Sequence, residues 1–165
     1  MLPVQIAVHH HNRCFVTADG TNKGRDFCEP CLLRRTGNTE AMANAVADGA
    51  RAAGAQADLF TCDTFNESMI DNYDAVAFGC PSMGAEQLEE DEFEPMFNSC
   101  ASNLSGKHIA LFGSYGWGDG EWMRNWAEQC NELGAVLIEE PVICNDAPDD
   151  EATAACEALG KALIE

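Results

Sequence analysis

The sequence predicts an α/β protein, a parallel sheet with helices on both faces. From Thr36 onward, helix-like and strand-like stretches alternate, as a succession of βα units requires. Tyr73 to Gly79 (YDAVAFG) and Lys107 to Gly113 (KHIALFG) are nearly unbroken apolar runs, as expected of strands covered on both sides. Right-handed crossovers then leave few ways to order the strands.

Val4 to Val8 (VQIAV) is a candidate first strand, but His9-His10-His11 and a polar stretch without period follow it. Cys31-Leu32-Leu33 is a second candidate, hemmed in by Pro30, Arg34 and Arg35. Thr39 to Ala53 is alanine-rich and free of proline, and Gly54 suits a helix stop. Ala55 to Cys62 reads as a strand, with a polar loop or short helix through Glu67 and Met69. The buried strand Tyr73 to Gly79 follows. Glu89 to Leu104 looks helical with an interruption near Pro95, and Ser105-Gly106 leads into the second buried strand. Gly120 to Leu133 is a helix with Trp122, Trp126 and Leu133 on its apolar side. Val136 to Cys144 supplies a last strand, bent or broken at Pro141. Asp149 to Glu165 closes the chain as a helix with acidic residues in its first turn.

The 165 residues make one domain's worth of chain, with 46% hydrophobic and 22% charged residues, an ordinary globular balance. No apolar run reaches the roughly eighteen residues of a membrane span, and Met1 to Val8 carries no basic residue of the kind that opens a signal peptide. Nine Lys and Arg against 28 Asp and Glu give a net charge of −19. Residues 36–165 hold only four of the basic groups and 25 of the acidic ones. Such a body repels phosphate backbones and anionic lipid, which argues against nucleic-acid and membrane partners and for a basic protein partner. Six of the nine cysteines lie scattered over strand and helix positions without paired spacing. That pattern predicts reduced thiols and a cytoplasmic location.

Three loops stand at the carboxyl ends of the predicted strands, where open α/β sheets bind ligands. Thr36-Gly37-Asn38-Thr39 precedes a helix, so small hydroxyl residues around a glycine can bring backbone N–H groups onto a phosphate; an ordinary helix cap explains the same residues. There is no Walker lysine, which disfavours a nucleoside triphosphate. Gly79-Cys80-Pro81-Ser82-Met83-Gly84-Ala85-Glu86 follows the first buried strand, and a plain strand-to-helix turn with Met83 as filler is its simplest account. Gly113-Ser114-Tyr115-Gly116-Trp117-Gly118-Asp119-Gly120 sets four glycines around two aromatics. A loop that exposes a tryptophan face suits a flat ligand.

From Thr36 to Glu165 the chain resembles the short-chain flavodoxins, small FMN-bearing electron carriers. TGNTEAMA, GCPSMG-x-E followed by LEEDEFEP, and GSYGWGDGEWM occur in the order of that family. The resemblance implies a flavodoxin-like three-layer sandwich with a five-stranded parallel sheet in the order 2-1-3-4-5. It implies a monomeric, low-potential one-electron carrier, not an enzyme, cycling FMN through oxidised, semiquinone and hydroquinone states and docking basic reductases or oxidoreductases on an acidic rim. Thr36, Gly37, Asn38 and Thr39 resemble the phosphate loop. Met83 and Trp117 match the two faces of the flavin sandwich, and the Gly84–Ala85 peptide matches the one whose carbonyl turns toward flavin N5. Glu86 matches the carboxylate that accepts from flavin N3–H. Ser114, Tyr115, Gly116 and Gly118 would frame the polar edge of the ring, with Asn145 touching its ribityl side. Physically, one carboxylate at ~10 Å in an effective dielectric of ~20 opposes an anionic reduced ring by about 1.7 kcal/mol. That is roughly 70 mV for one electron, since a tenfold step is ~59 mV, so the acidic body favours a low potential.

Residues 1–35 do not match the family. Where its phosphate loop continues upstream with a small hydroxyl residue, this chain has Arg34 and Arg35. The segment reads as an atypical amino-terminal stretch, either a first strand at 4–8 with an insertion behind it or sequence foreign to the domain. His11-x-x-Cys14 and Cys28-x-x-Cys31 have zinc-ligand spacing, but polyhistidine with chance cysteines accounts for them as well. The alternatives are an FMN-dependent quinone reductase-like protein and a flavodoxin-derived domain that has lost FMN and carries a zinc site at its amino terminus.

Overall fold

The computed structural model describes residues 4–9 and 37–164. Along the chain run β1 (Val4–His9), α1 (Asn38–Ala52), β2 (Gln56–Thr61), β3 (Ala75–Gly79), α2 (Phe93–Cys100), β4 (His108–Tyr115), α3 (Glu121–Glu132), β5 (Val136–Leu137), β6 (Val142–Asn145) and α4 (Asp150–Ala162). Short 3₁₀ turns at Glu67–Asn72 and Ala101–Asn103 complete the set. α2 starts later than the sequence suggests, because Pro95 is tolerated only in the first turn of a helix.

The sheet order is β2-β1-β3-β4-β5, with β6 also paired to β4. β5 and β6 are thus two pieces of one edge strand, interrupted around Pro141. The order is the expected 2-1-3-4-5, and β3, β4, β5 and β6 run parallel. β1 departs from the expectation of an all-parallel sheet: it lies antiparallel to both β2 and β3, with Val4 beside Gly79 and Val8 beside Ala75. A strand in that slot can satisfy its neighbours' N–H and C=O groups in either direction, and the antiparallel ladder is slightly the stronger. What imposes direction on a first strand is a short connection to the next element. Here 27 residues separate His9 from Gly37, ample chain to return past a strand about 20 Å long.

The two faces of the sheet differ in grain. On β3, Ala75 and Ala77 point to one side while Val76 and Phe78 point to the other. On β4, Ile109 and Leu111 join Val76 and Phe78, whereas Ala110 and Phe112 face the alanine side. The small side receives α1 and α4, which pack with Met42, Val46, Ala50 and Leu159 in the interface. Their backbones nearly touch: a Cβ on Gly49 would lie 2.0 Å from the Glu157 carbonyl oxygen. The large side receives α2 and α3 through an aromatic cluster. Phe93 and Phe97 stack with centroids 6.1 Å apart, and both meet Trp126 edge-on at 5.2 and 5.6 Å.

Candidate functional site

The loops at the carboxyl edge of β3 and β4 are built as one unit. Beyond the last strand pair, Cys80 N–H donates to Phe112 O at 3.1 Å and Ser82 N–H to Ser114 O at 2.9 Å, so the ladder continues into the loops. Gly113 must be bare there, since a Cβ would stand 2.1 Å from Cys80 O. The Trp122 indole N–H donates to that same Cys80 carbonyl at 3.4 Å, fixing α3 beneath the loop.

After Ser82 the chain turns sharply. Met83 and Gln87 exchange two backbone bonds of 2.9 Å, closing a tight loop with Gly84, Ala85 and Glu86 at its tip. Gly84 sits at φ 49 and Glu86 at φ 54, both left-handed. Opposite lies the loop that carries Trp117. Met83 is 41% and Trp117 60% exposed, which leaves large apolar surface open on both loops. The loops are joined by Glu86, whose Oε1 accepts from the N–H groups of Asp119, Gly120 and Glu121 at 3.2, 2.9 and 2.9 Å.

α1 starts at the same edge of the sheet. Gly37, at φ 62, is its N-cap and supplies no side chain to the first turn, so no side chain of the cap residue covers the helix start. Asn38, Thr39 and Ser114 are the buried polar residues of the described chain, and the Thr39 and Ser114 hydroxyls approach to 3.4 Å. Hydroxyls, a carboxamide and the positive end of a helix fit a phosphate monoester. Tyr115 packs against Trp122 with centroids 5.4 Å apart, and Gly116 and Gly118 are exposed. Asn145 Nδ2 donates to Tyr115 O at 3.4 Å, and Asp146, at φ 56, donates its N–H to the same oxygen at 2.7 Å.

The predicted residues Gly37, Asn38, Thr39, Ser114 and Tyr115 therefore share one edge of the sheet with Met83, Gly84, Ala85, Glu86, Gly116, Trp117, Gly118 and Asn145. Thr36 and the zinc-spaced set His11, Cys14, Cys28 and Cys31 lie outside the described residues, as do Arg34 and Arg35. Among the described residues no cluster of His, Cys, Asp and Glu could hold a metal, and no helix is long and apolar enough to cross a membrane. Sequence reasoning missed Arg124, whose guanidinium donates to Asp119 O at 2.8 Å and Oδ1 at 2.7 Å and steadies the turn after Trp117. No spacing rule marks that pair. Asp146 was findable, because Asn-Asp-Ala-Pro is turn-forming sequence.

The six described cysteines are buried and free of disulfides. Burial pushes the Cys130 and Cys156 thiols up to about 12 and Cys144 to about 11, the last raised further by Asp149 and Asp146. Burial raises Cys80 as well. None of these four is poised for thiol chemistry at neutral pH.

An open α/β sheet with a helix N-terminus and two exposed apolar side chains at its carboxyl edge defines a protein that binds a phosphorylated, flat-ringed ligand. The comparisons narrow the class. The flavodoxin family model matches residues 35–160. A flavodoxin of Clostridium beijerinckii is 44% identical over 128 residues, covering 78% of this chain and 92% of the relative. A flavodoxin of Megasphaera elsdenii is 42% identical over 127 residues, covering 77% and 90%. The solution structure of two-electron reduced M. elsdenii flavodoxin superposes with a TM-score of 0.71 at 41% identity, covering 79% of this chain and 93% of that one. An archaeal flavodoxin structure gives 0.68 at 27% identity, covering 79% and 91%. The chain belongs to the flavodoxin family. It is an FMN-binding electron carrier, a function that the family performs with redox partners and without enzymatic turnover of its own.

Proposed function

We propose that residues 36–165 form the FMN domain and that it works as a low-potential carrier, with the ring held between Met83 and Trp117. When bound, FMN supplies one-electron transfer; the chain supplies binding, orientation and electrostatics. Thr36, Gly37, Asn38 and Thr39 hold the phosphate at the α1 N-terminus, with Ser114 beside Thr39. Met83 and Trp117 cover the two ring faces and exclude water. Gly84 and Ala85 present a backbone carbonyl at the ring's edge, and Gly84 is free to take either sign of φ. Glu86 accepts from the ring's N3–H, while Tyr115, Gly116 and Gly118 line the polar edge and Asn145 the ribityl side. The observation that carries this reading is the pairing of two exposed apolar side chains, Met83 and Trp117, on loops bonded to each other at the sheet's ligand edge.

Electrostatics support a basic partner. Glu90, Asp91, Glu92, Asp119 and Asp146 are exposed around these loops. Two of the four basic residues of 36–165 are already engaged in ion pairs: Arg51 with Asp48 at 3.2 Å and Arg124 with Asp119 at 2.7 Å. With Arg124 held by Asp119, the exposed carboxylates leave the rim negative, and a basic reductase is steered onto it. Rising ionic strength should slow its reduction of this protein; a rate indifferent to salt would remove the acidic docking rim from the proposal.

Titration of purified apo-protein with FMN tests the cofactor site. Tight binding with quenched flavin fluorescence is expected. Failure to bind in a protein with native circular dichroism would mean that residues 1–36 do not complete the phosphate loop.

A further inference from the structure

Glu86 carries three features that converge on one contact. Its backbone lies at φ 54, a region that side chains with a Cβ seldom adopt. Its Oε1 alone takes the N–H groups of Asp119, Gly120 and Glu121, the donors at the start of α3. And a Cβ on Gly118 would stand 2.3 Å from the Glu86 carboxyl carbon and 2.6 Å from each of its oxygens. α3 has no cap from its own sequence, since its N-cap is Gly120. A carboxylate from a residue more than thirty positions earlier takes that place, where the helix dipole and three charge-assisted bonds favour it. Backbone strain at a residue with such specific contacts marks a constraint that the rest of the structure upholds.

We propose that Glu86 is a clip, formed by the chain's own groups, that fixes the Met83 loop against the Trp117 loop, and that Gly118 is the positioning residue whose bareness lets the clip close. The proposal rests on the reading that the ring lies between Met83 and Trp117, but the clip is a property of the polypeptide alone. Its effect on binding is pre-organisation. With both loops already tied, FMN has less chain to order on arrival, so breaking the clip weakens binding even where no contact to the ring is lost. Gly118 then acts through Glu86.

The test uses amide exchange at Asp119, Gly120 and Glu121 in apo-protein, followed by nuclear magnetic resonance, together with the FMN dissociation constant. Glu86→Ala should speed exchange at these three amides at least about tenfold, the weight of hydrogen bonds to a charged acceptor, and leave α4 unchanged. Gly118→Ala should do the same and raise the dissociation constant about tenfold or more. In the Glu86→Ala background, Gly118→Ala should raise that constant by a clearly smaller factor, the part due to its φ of 91 alone, since coupled sites lose additivity. Unchanged exchange in Glu86→Ala would overturn the clip. So would an equal Gly118→Ala penalty in both backgrounds, which would make that glycine necessary only for its φ of 91. If Gly118→Ala fails to fold, exchange in Glu86→Ala decides alone. Trp117→Ala separates the two readings: it should weaken FMN without altering the three amides. Unchanged affinity there with fast exchange in Glu86→Ala would refute the sandwich and uphold the clip.

Discussion

Replacing Gly160 with alanine should drive α1 and α4 apart. An added Cβ would meet the Val46 carbonyl oxygen at 1.9 Å, the Val46 carbonyl carbon at 2.9 Å and the Ala50 nitrogen at 2.8 Å. All three are backbone atoms within α1, so no rotamer change relieves them. Restoring an ordinary contact near 3.4 Å needs a displacement of roughly 1.5 Å. Two effects oppose each other. Alanine is favoured over glycine inside a helix by about 0.8–1 kcal/mol. Overpacking of a close interface costs about 1–3 kcal/mol, and rigid backbone on both sides places this case at the upper end. The expected net loss is about 2 kcal/mol, or some 4–8 °C in Tm for a chain of this size. Urea and thermal denaturation of apo-protein measure it; apo-protein is required because bound FMN adds its own stabilisation. Gly49→Ala, which drives a Cβ to 2.0 Å from Glu157 O at the same crossing, should cost a similar amount. The double variant should lose less than the sum, because one displacement relieves part of both clashes. A Gly160→Ala protein as stable as the wild type would refute the packing argument, since helix propensity would then have won.

Trp117→Ala should weaken FMN by about 1–3 kcal/mol, the scale of stacking between an aromatic side chain and a base; equilibrium titration checks it. Glu89 caps the start of α2, accepting from the N–H groups of Asp91, Glu92 and Phe93 at 2.8, 2.9 and 2.8 Å. Partial burial works against its charge, but these three bonds prevail and hold the carboxyl below its ordinary value near 4.5. Because the folded value is the lower one, the carboxylate stabilises the fold above the ordinary range and loses that effect as pH falls through the folded value. Glu89→Ala should therefore cost about 1 kcal/mol at pH 7, with the difference from wild type shrinking in acid; a gap independent of pH would contradict the cap. Brief alkylation of native protein at pH 8 should spare Cys62, Cys80, Cys100, Cys130, Cys144 and Cys156, which peptide mass spectrometry reads directly.

Much of the fold was legible because its signals are local. β3 and β4 announce themselves as apolar runs since both their faces are covered, and Ala55 to Cys62 and Val136 to Cys144 fell where β2 and the divided edge strand lie. The three loops were visible as turns at strand ends, but for two of them a helix cap or a plain strand-to-helix turn accounts for the same residues, and only the glycine-flanked Trp117 loop stood out locally. The start of α2 was misplaced: Glu89 to Glu92 have good helix formers, but Glu89 spends its carboxylate on the N–H groups that follow it.

Periodicity and turn chemistry, written within a few neighbouring residues, determined the α/β class, and the resemblance of the loop motifs to the flavodoxins implied the family and the strand order. Tertiary structure alone decided the direction of β1, since the pattern of VQIAV does not distinguish a parallel from an antiparallel neighbour. It alone decided that Gly49 and Gly160 are contact points between helices far apart in the chain, and that Glu86 caps α3 in the space left by Gly118. Those facts concern distances between remote backbone segments, and such distances exist only once the chain has closed on itself.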